Sequence, residues 1–213
     1  MFFLRRLRPR SCGFLKATTT FAGSAASPAQ FPKDGLPEVA FLGRSNVGKS
    51  SLLNALAGAP GLARVSATPG RTRLVNFFRV GDELYLVDLP GYGYARVPEA
   101  ERGGWEQLVT SYLVGREVLA LCVVLLDLRH EPSQRDFSLR DFLEHHHLPY
   151  LLVAMKADKL ARGQRSRRQH ALAASLGGTQ RGLIVASAAT GLGIDELWRE
   201  VRRAAELRRE GAA

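Results

Sequence analysis

The chain has 213 residues, 46% of them apolar, which suits one domain with a true core. No apolar run approaches ~18 residues, which argues against a membrane-spanning helix. Two cysteines in unlike settings, Cys12 in a basic leader and Cys122 in an apolar run, argue against a disulfide framework and for a reducing compartment. The net charge of +10 is unevenly placed: residues 1–33 hold six basic side chains and no acid, so the remainder carries +4.

A basic, acid-free leader rich in Ser, Thr and Ala has two readings. It is an organelle transit peptide, or an arm drawn to polyanions such as RNA. The working expectation is the arm: residues 1–36 form a flexible extension and residues 37–213 one folded domain. That reading leaves the protein in the cytoplasm, and the transit-peptide reading places it in an organelle such as the mitochondrion.

The domain opens with PEVAFLGRSNVGKSSLLNAL, Pro37 to Leu56. A short apolar strand leads into Gly43, Arg44, Ser45, Asn46, Val47, Gly48, Lys49 and Ser50, which fit G-x-x-x-x-G-K-[ST], and a helix carrying Leu52, Leu53 and Leu56 follows. The glycines free the backbone to turn its N–H groups onto phosphate oxygens. The helix start adds partial positive charge. Lys49 suits the terminal phosphates and the Ser50 hydroxyl suits Mg²⁺. Strand before and helix after confirm the motif, so the sequence predicts nucleoside triphosphate binding.

After a loop to Arg73, Leu74–Val80 and Glu83–Leu89 read as strands of a hairpin turning at Gly81–Asp82. Within the loop, TPGRT supplies Thr68 and Thr72, either of which could ligate Mg²⁺ and sense a γ-phosphate. The hairpin ends in Asp88, Leu89, Pro90 and Gly91. A carboxylate leaving a strand beside a P-loop suits Mg²⁺ through water, and Gly91 lets the backbone approach the γ-phosphate. PGYGYARVPEAERGG is too rich in glycine and proline for regular structure, and a helix is predicted from Trp105 to Val114.

The remainder alternates. Strands are predicted at Leu119–Leu126, Tyr150–Met155 and Leu183–Ala186, with helices at Asp136–His146, Arg165–Leu176 and Ile194–Arg209. This pattern predicts an α/β, three-layer P-loop fold: a mainly parallel six-stranded sheet with one antiparallel strand and helices on both faces. Met155, Lys156, Ala157 and Asp158 close one strand. The Asp158 carboxylate suits the guanine N1 and N2 hydrogens, and the Lys156 stem suits the base or the P-loop. Ala186, Ser187 and Ala188 follow the next strand, where a backbone N–H can reach guanine O6. Together these select GTP over ATP.

In PEVAFLGRSNVGKSSLLNAL, TPGRTRLVNFF, LVDLPGYGYARVP and KADKL the chain resembles the EngB family of ribosome-assembly GTPases, from about Phe21 onward. That resemblance implies a Mg²⁺-dependent GTPase acting in large-subunit assembly, with loss affecting division and septation. It makes Thr72 the Mg²⁺ ligand and brings Gly70, Arg71, Thr72, Arg73 and Leu74 to the nucleotide. It also implies Asn46 as a K⁺ ligand. Lys49, Thr72, Gly91 and Asn46 are thus the expected catalytic groups, Mg²⁺ the cofactor and K⁺ an accessory ion.

Two positions depart from wider patterns. Met155 stands where GTPases generally have Asn and this family usually has Thr. Arg73 stands where the family often has Gln. Tyr92 follows Gly91, where many small GTPases place a water-orienting Gln, so slow intrinsic hydrolysis is expected.

Expected partners are GTP, the large ribosomal subunit and its RNA, with no membrane and a monomeric chain. A slow-turnover regulatory module for a division or organellar partner is the contrasting reading. The RNA expectation rests on arginines assigned to the switches (Arg64, Arg71, Arg73, Arg79, Arg96), the leader, and Arg162, Arg165, Arg167 and Arg168. His145, His146 and His147 read as a helix end, Phe77, Phe78 and Tyr85 as packing, and Tyr92 and Tyr94 as either packing or partner contact.

Overall fold

A computed structural model describes residues 18–63, 74–91, 99–177 and 182–211, with the side chains of 99–106 excepted. In chain order the elements are β1 (Thr19–Ala25), β2 (Glu38–Gly43), α1 (Lys49–Ala57), β3 (Val75–Val80), β4 (Leu84–Asp88) and α2 (Glu99–Gly115). These are followed by β5 (Leu119–Asp127), α3 (Gln134–His145), β6 (Tyr150–Met155), α4 (Arg162–Ser175), β7 (Leu183–Val185) and α5 (Ile194–Glu210). They build one seven-stranded sheet in the order β1-β3-β4-β2-β5-β6-β7, in which only β3 runs against its neighbours.

The period of two along each central strand creates the layers. Val39 and Phe41 of β2, with Leu121, Val123 and Leu125 of β5, face Leu52, Leu53 and Leu56 of α1 and Leu197 and Val201 of α5. Ala40, Leu42, Cys122 and Val124 face Leu108, Tyr112 and Leu113 of α2 and Leu143 of α3. Leu172 of α4 packs beside Ala154 of β6 on that second side. Each fully buried Leu, Val or Phe contributes about 1.5–3 kcal/mol, so the two-sided sheet is the stabilising frame.

Two expectations are corrected here. The sequence predicts a flexible extension through residue 36 and a sheet of six strands. Instead β1 forms an edge strand, paired antiparallel with β3 from Thr19↔Val80 to Ala25↔Val75. The Phe21 ring lies 5.7 Å from Phe78, and Phe31 packs on Phe77 and Tyr112. Asp34 accepts from Arg79 and from the Tyr85 hydroxyl. These contacts are tertiary, so the Ala/Ser/Thr composition of 19–26 could not display them. Residues 1–17 lie outside the described residues.

Helix α2 begins at Glu99, six residues before the predicted start at Trp105. The acidic run Glu99–Glu101 favours a helix N-terminus and outweighs Gly103 and Gly104. The three histidines do end a helix: α3 stops at His145, His146 is its C-cap, and His147 has φ 52°. Phe77, Phe78 and Tyr85 are all buried, as expected from packing roles.

Candidate nucleotide-binding site

The site lies at the carboxyl ends of β2, β4, β5 and β6, where doubly wound sheets leave a crevice. Gly43 ends β2 with no room for a side chain: a Cβ would sit 2.9 Å from Val47 Cγ1 and 3.0 Å from Leu125 Cβ. The chain then turns, with Val47 N donating to Arg44 O at 3.1 Å. Asn46 (φ 62°) and Gly48 (φ 109°) both hold left-handed backbone. Gly48 is the N-cap of α1 and its carbonyl accepts the Leu52 N–H at 2.9 Å. Arg44 and Asn46 are exposed, Val47 is buried, and Ser45 and Ser50 are half-buried. No acid occupies the first turn of α1, so its helix-start N–H groups present an electropositive cradle suited to an anion.

Lys49 pairs with Asp88 at the end of β4, both side chains about nine-tenths buried. Leu89, wholly buried, donates its N–H to Phe41 O at 3.3 Å and so fixes the exit of β4 beside the P-loop. Pro90 is also buried. A Cβ on Gly91 would lie 3.2 Å from Gly43 O and 3.3 Å from Ser45 N, so the two loops approach backbone to backbone. The Ser50 hydroxyl on α1 and the Asp88 carboxylate facing Lys49 are hard oxygen donors. Such a sparse set fits Mg²⁺, which binds through one or two protein oxygens, water and substrate phosphates.

At the base end, Lys156 takes left-handed backbone (φ 64°) and its ammonium donates to Asn46 O at 2.7 Å, tying β6 to the P-loop. Ala157 N donates to Ala186 O at 3.2 Å, and Ala186 N to Ala154 O at 2.8 Å, which locks the β6 and β7 exits together. Ser187, fully buried, donates to Asp158 Oδ1 at 2.7 Å. That bond, opposed by burial, lowers the Asp158 pKa below its ordinary value. Ala188 is half-buried beside it. Met155 points into the core: its side chain is 2% exposed, and Cε lies 3.6 Å from where a Gly48 Cβ would be. It fills the floor of the P-loop with methyl contact where a polar residue would offer a hydrogen bond.

Sequence reasoning missed Asp127. Its carboxylate accepts from Arg129 N, Nε and Nη2 at 3.1, 2.9 and 2.7 Å, and pairs with Lys156 Nζ at 2.9 Å. Burial works to raise its pKa, but the bonds from Arg129 and Lys156 prevail and hold it well below the carboxylate range. DLRH carries no nucleotide-site motif of its own, and the link to Lys156 spans two elements.

Of the nucleotide contacts expected from the TPGRT loop, Gly70, Arg71, Thr72 and Arg73 lie outside the described residues, as do Thr68, Tyr92, Tyr94, Arg64 and Arg96. Leu74 is exposed at the start of β3. Arg79 is corrected: it sits beside the Gly81 turn, bonded to Asp34, Asp82 and Gly81 O. Asn76, not Arg79, pairs with Asp88, so Arg79 lies at the opposite end of the hairpin from the site.

Residues 38–156 match a family described as 50S ribosome-binding GTPase. A protein named "Probable GTP-binding protein EngB" from Syntrophus aciditrophicus (strain SB) is 50% identical over 187 residues, covering 88% of this chain and 95% of that one. A namesake from Symbiobacterium thermophilum is 43% identical, covering 85% and 93%. The crystal structure of a probable GTP-binding protein engB superposes with TM-score 0.65 at 23% identity, covering 79% of this chain and 98% of that chain, which bears on the fold alone. With the P-loop and its strand–helix setting already in place, these similarities show that the chain belongs to the EngB family of P-loop GTPases.

Proposed function

We propose that this GTPase is a nucleotide-gated switch in the assembly of the large ribosomal subunit, through which its loss would disturb cell division and septation. The observation that carries the reading is the match of residues 38–156 to a family described by its binding to the 50S ribosome. Its working place is then the bacterial cytoplasm, or the mitochondrion if the leader is a transit peptide. Among the described residues no helix is long and apolar enough to cross a membrane.

In this reading GTP lies along the P-loop with its base on Asp158. The guanine N1 and N2 hydrogens pair with the Asp158 carboxylate, which Ser187 orients, while the Lys156 stem flanks the ring. Lys49 leaves Asp88 for the β- and γ-phosphates and stabilises charge as it develops there. Gly91 offers its N–H to the γ-phosphate. Bound Mg²⁺, held by Ser50 and Thr72 with Asp88 behind, would neutralise charge on the β- and γ-oxygens. K⁺ held by Asn46 would add positive charge on the P-loop side.

Depletion of the protein, followed by sucrose-gradient analysis of ribosomal particles, tests the reading. A large-subunit precursor should accumulate. An unchanged particle profile with a division defect would favour a regulatory module acting on a division partner.

A further inference from the structure

We infer that α4 is a docking face for the phosphate backbone of folded RNA, an inference that rests on the ribosomal reading and names the contact surface. The first observation is where the charge sits. The leader to residue 33 carries +6 and α4 carries +4, which together account for the whole net charge of +10. The rest of the chain is neutral. Among the other helices, α5 balances five arginines with five acids, whereas α4 has four arginines and no acid.

The second observation is that this charge runs against what a helix favours. Arg162, Arg165, Arg167 and Arg168 fall in the first half of α4, with no acid in its first turn and no base in its last. Cations at a helix start oppose the macrodipole, and acids there would stabilise it. A face serving only to be wetted would not gather its charge at the unfavourable end. The N-terminus is instead capped by Gln164, whose Oε1 accepts from Ala161 N at 3.2 Å.

The third observation divides the four arginines. Arg165 Nε donates to Leu160 O at 2.8 Å in the segment between β6 and α4, whereas Arg168 donates to Arg129 O and pairs with Glu131, bracing α4 against the loop after β5. Arg162 and Arg167 are exposed and have no ion-pair partner among the described residues, Arg167 Nε reaching only Gly163 O of its own helix at 3.4 Å. Most of the exposed surface around them is small: Gly163, Ser166, Ala171 and Ala174, with Gln164 and His170 the larger exposed neighbours. Small neighbours let a polynucleotide backbone approach, and planar guanidinium forks match phosphate oxygens in pairs. A basic or apolar partner would find neither counter-charge nor apolar area on this face, and an acidic protein surface, which would find counter-charge, is told from RNA by the protein-free rRNA arm of the test. Helix α4 begins four residues beyond Asp158, so a docked RNA would lie beside the base end of the nucleotide site.

The test uses full-length protein, purified large ribosomal subunits and protein-free large-subunit rRNA, with wild type and the double variant Arg162→Gln/Arg167→Gln. GTP turnover and thermal unfolding of the variant should match wild type, since neither side chain touches the site or the core. Wild-type affinity should fall steeply with salt. If both arginines meet phosphates, the variant should lose about tenfold less affinity between 50 and 200 mM salt, and its log–log slope should be shallower by about 2. An unchanged slope with intact wild-type binding overturns the α4 inference and leaves the ribosomal reading standing. Binding of wild type to neither subunit nor rRNA overturns both. A variant defect seen with subunits but not with protein-free rRNA assigns the face to a ribosomal protein and also overturns the RNA inference.

Discussion

The hydroxyl of Ser187, leaving β7, donates to the carboxylate of Asp158, leaving β6, at 2.7 Å. One carboxylate oxygen is thereby fixed and its ionised form favoured before any base arrives. Asp158→Asn should weaken GTP by about 1.5–3 kcal/mol and favour xanthosine nucleotides, because guanine N–H groups lose a charged acceptor. Ser187→Ala should cost about 1 kcal/mol by releasing the carboxylate. Competition binding with GTP, XTP and ATP checks both. Equal competition by ATP in wild type would remove Asp158 as the selector.

Asn46 holds left-handed backbone on the exposed rim of the P-loop, and its carbonyl is occupied by Lys156. Its side chain therefore remains the group for a monovalent cation. Turnover should be slow alone and faster in K⁺ than in Na⁺, with Asn46→Ala abolishing the difference. Equal rates in both salts for wild type would exclude the cation role.

Glu38 is wholly buried at the start of β2, accepting from Tyr112 at 2.8 Å and from Arg116 at 3.0 and 2.6 Å. Arg116 also donates to Pro32 O, so this carboxylate joins the sheet, α2 and the segment after β1. Glu38→Ala leaves the guanidinium without its counter-charge and should cost about 3 kcal/mol. Urea unfolding measures it. Glu38→Gln, which keeps one acceptor oxygen for Tyr112 and Arg116 Nε but turns a donor toward Arg116 Nη2, should cost less.

Asp127 gives a pH signature. Its folded pKa is depressed, so its contribution is complete above the unfolded value of about 3.9 and is lost as pH falls below that. Asp127→Asn should lower the melting temperature at pH 7, and the gap from wild type should narrow below about pH 4. A constant gap across that range would mean that the ion pairs with Arg129 and Lys156 do not stabilise the fold.

What could be read from the sequence was local and what could not was tertiary. GRSNVGKS, DLPG, MKAD and ASA each follow an apolar strand, and a sheet delivers strand ends to one edge, so their convergence followed from order alone. Strand β1 was missed because TTFAGSA alternates weakly and needs the open edge of β3. Asp127 and Glu38 were missed because each is defined by partners far along the chain. Arg79 was misplaced because a hairpin reverses direction, carrying it away from the phosphate end.

In the proposed function GTP gates engagement of the large ribosomal subunit. The most direct measurement is co-sedimentation of the full-length protein with purified large subunits in a non-hydrolysable GTP analogue, in GDP and without nucleotide. Co-migration is expected with the analogue, and release in GDP. Equal sedimentation in all three conditions, or none in any, would contradict it.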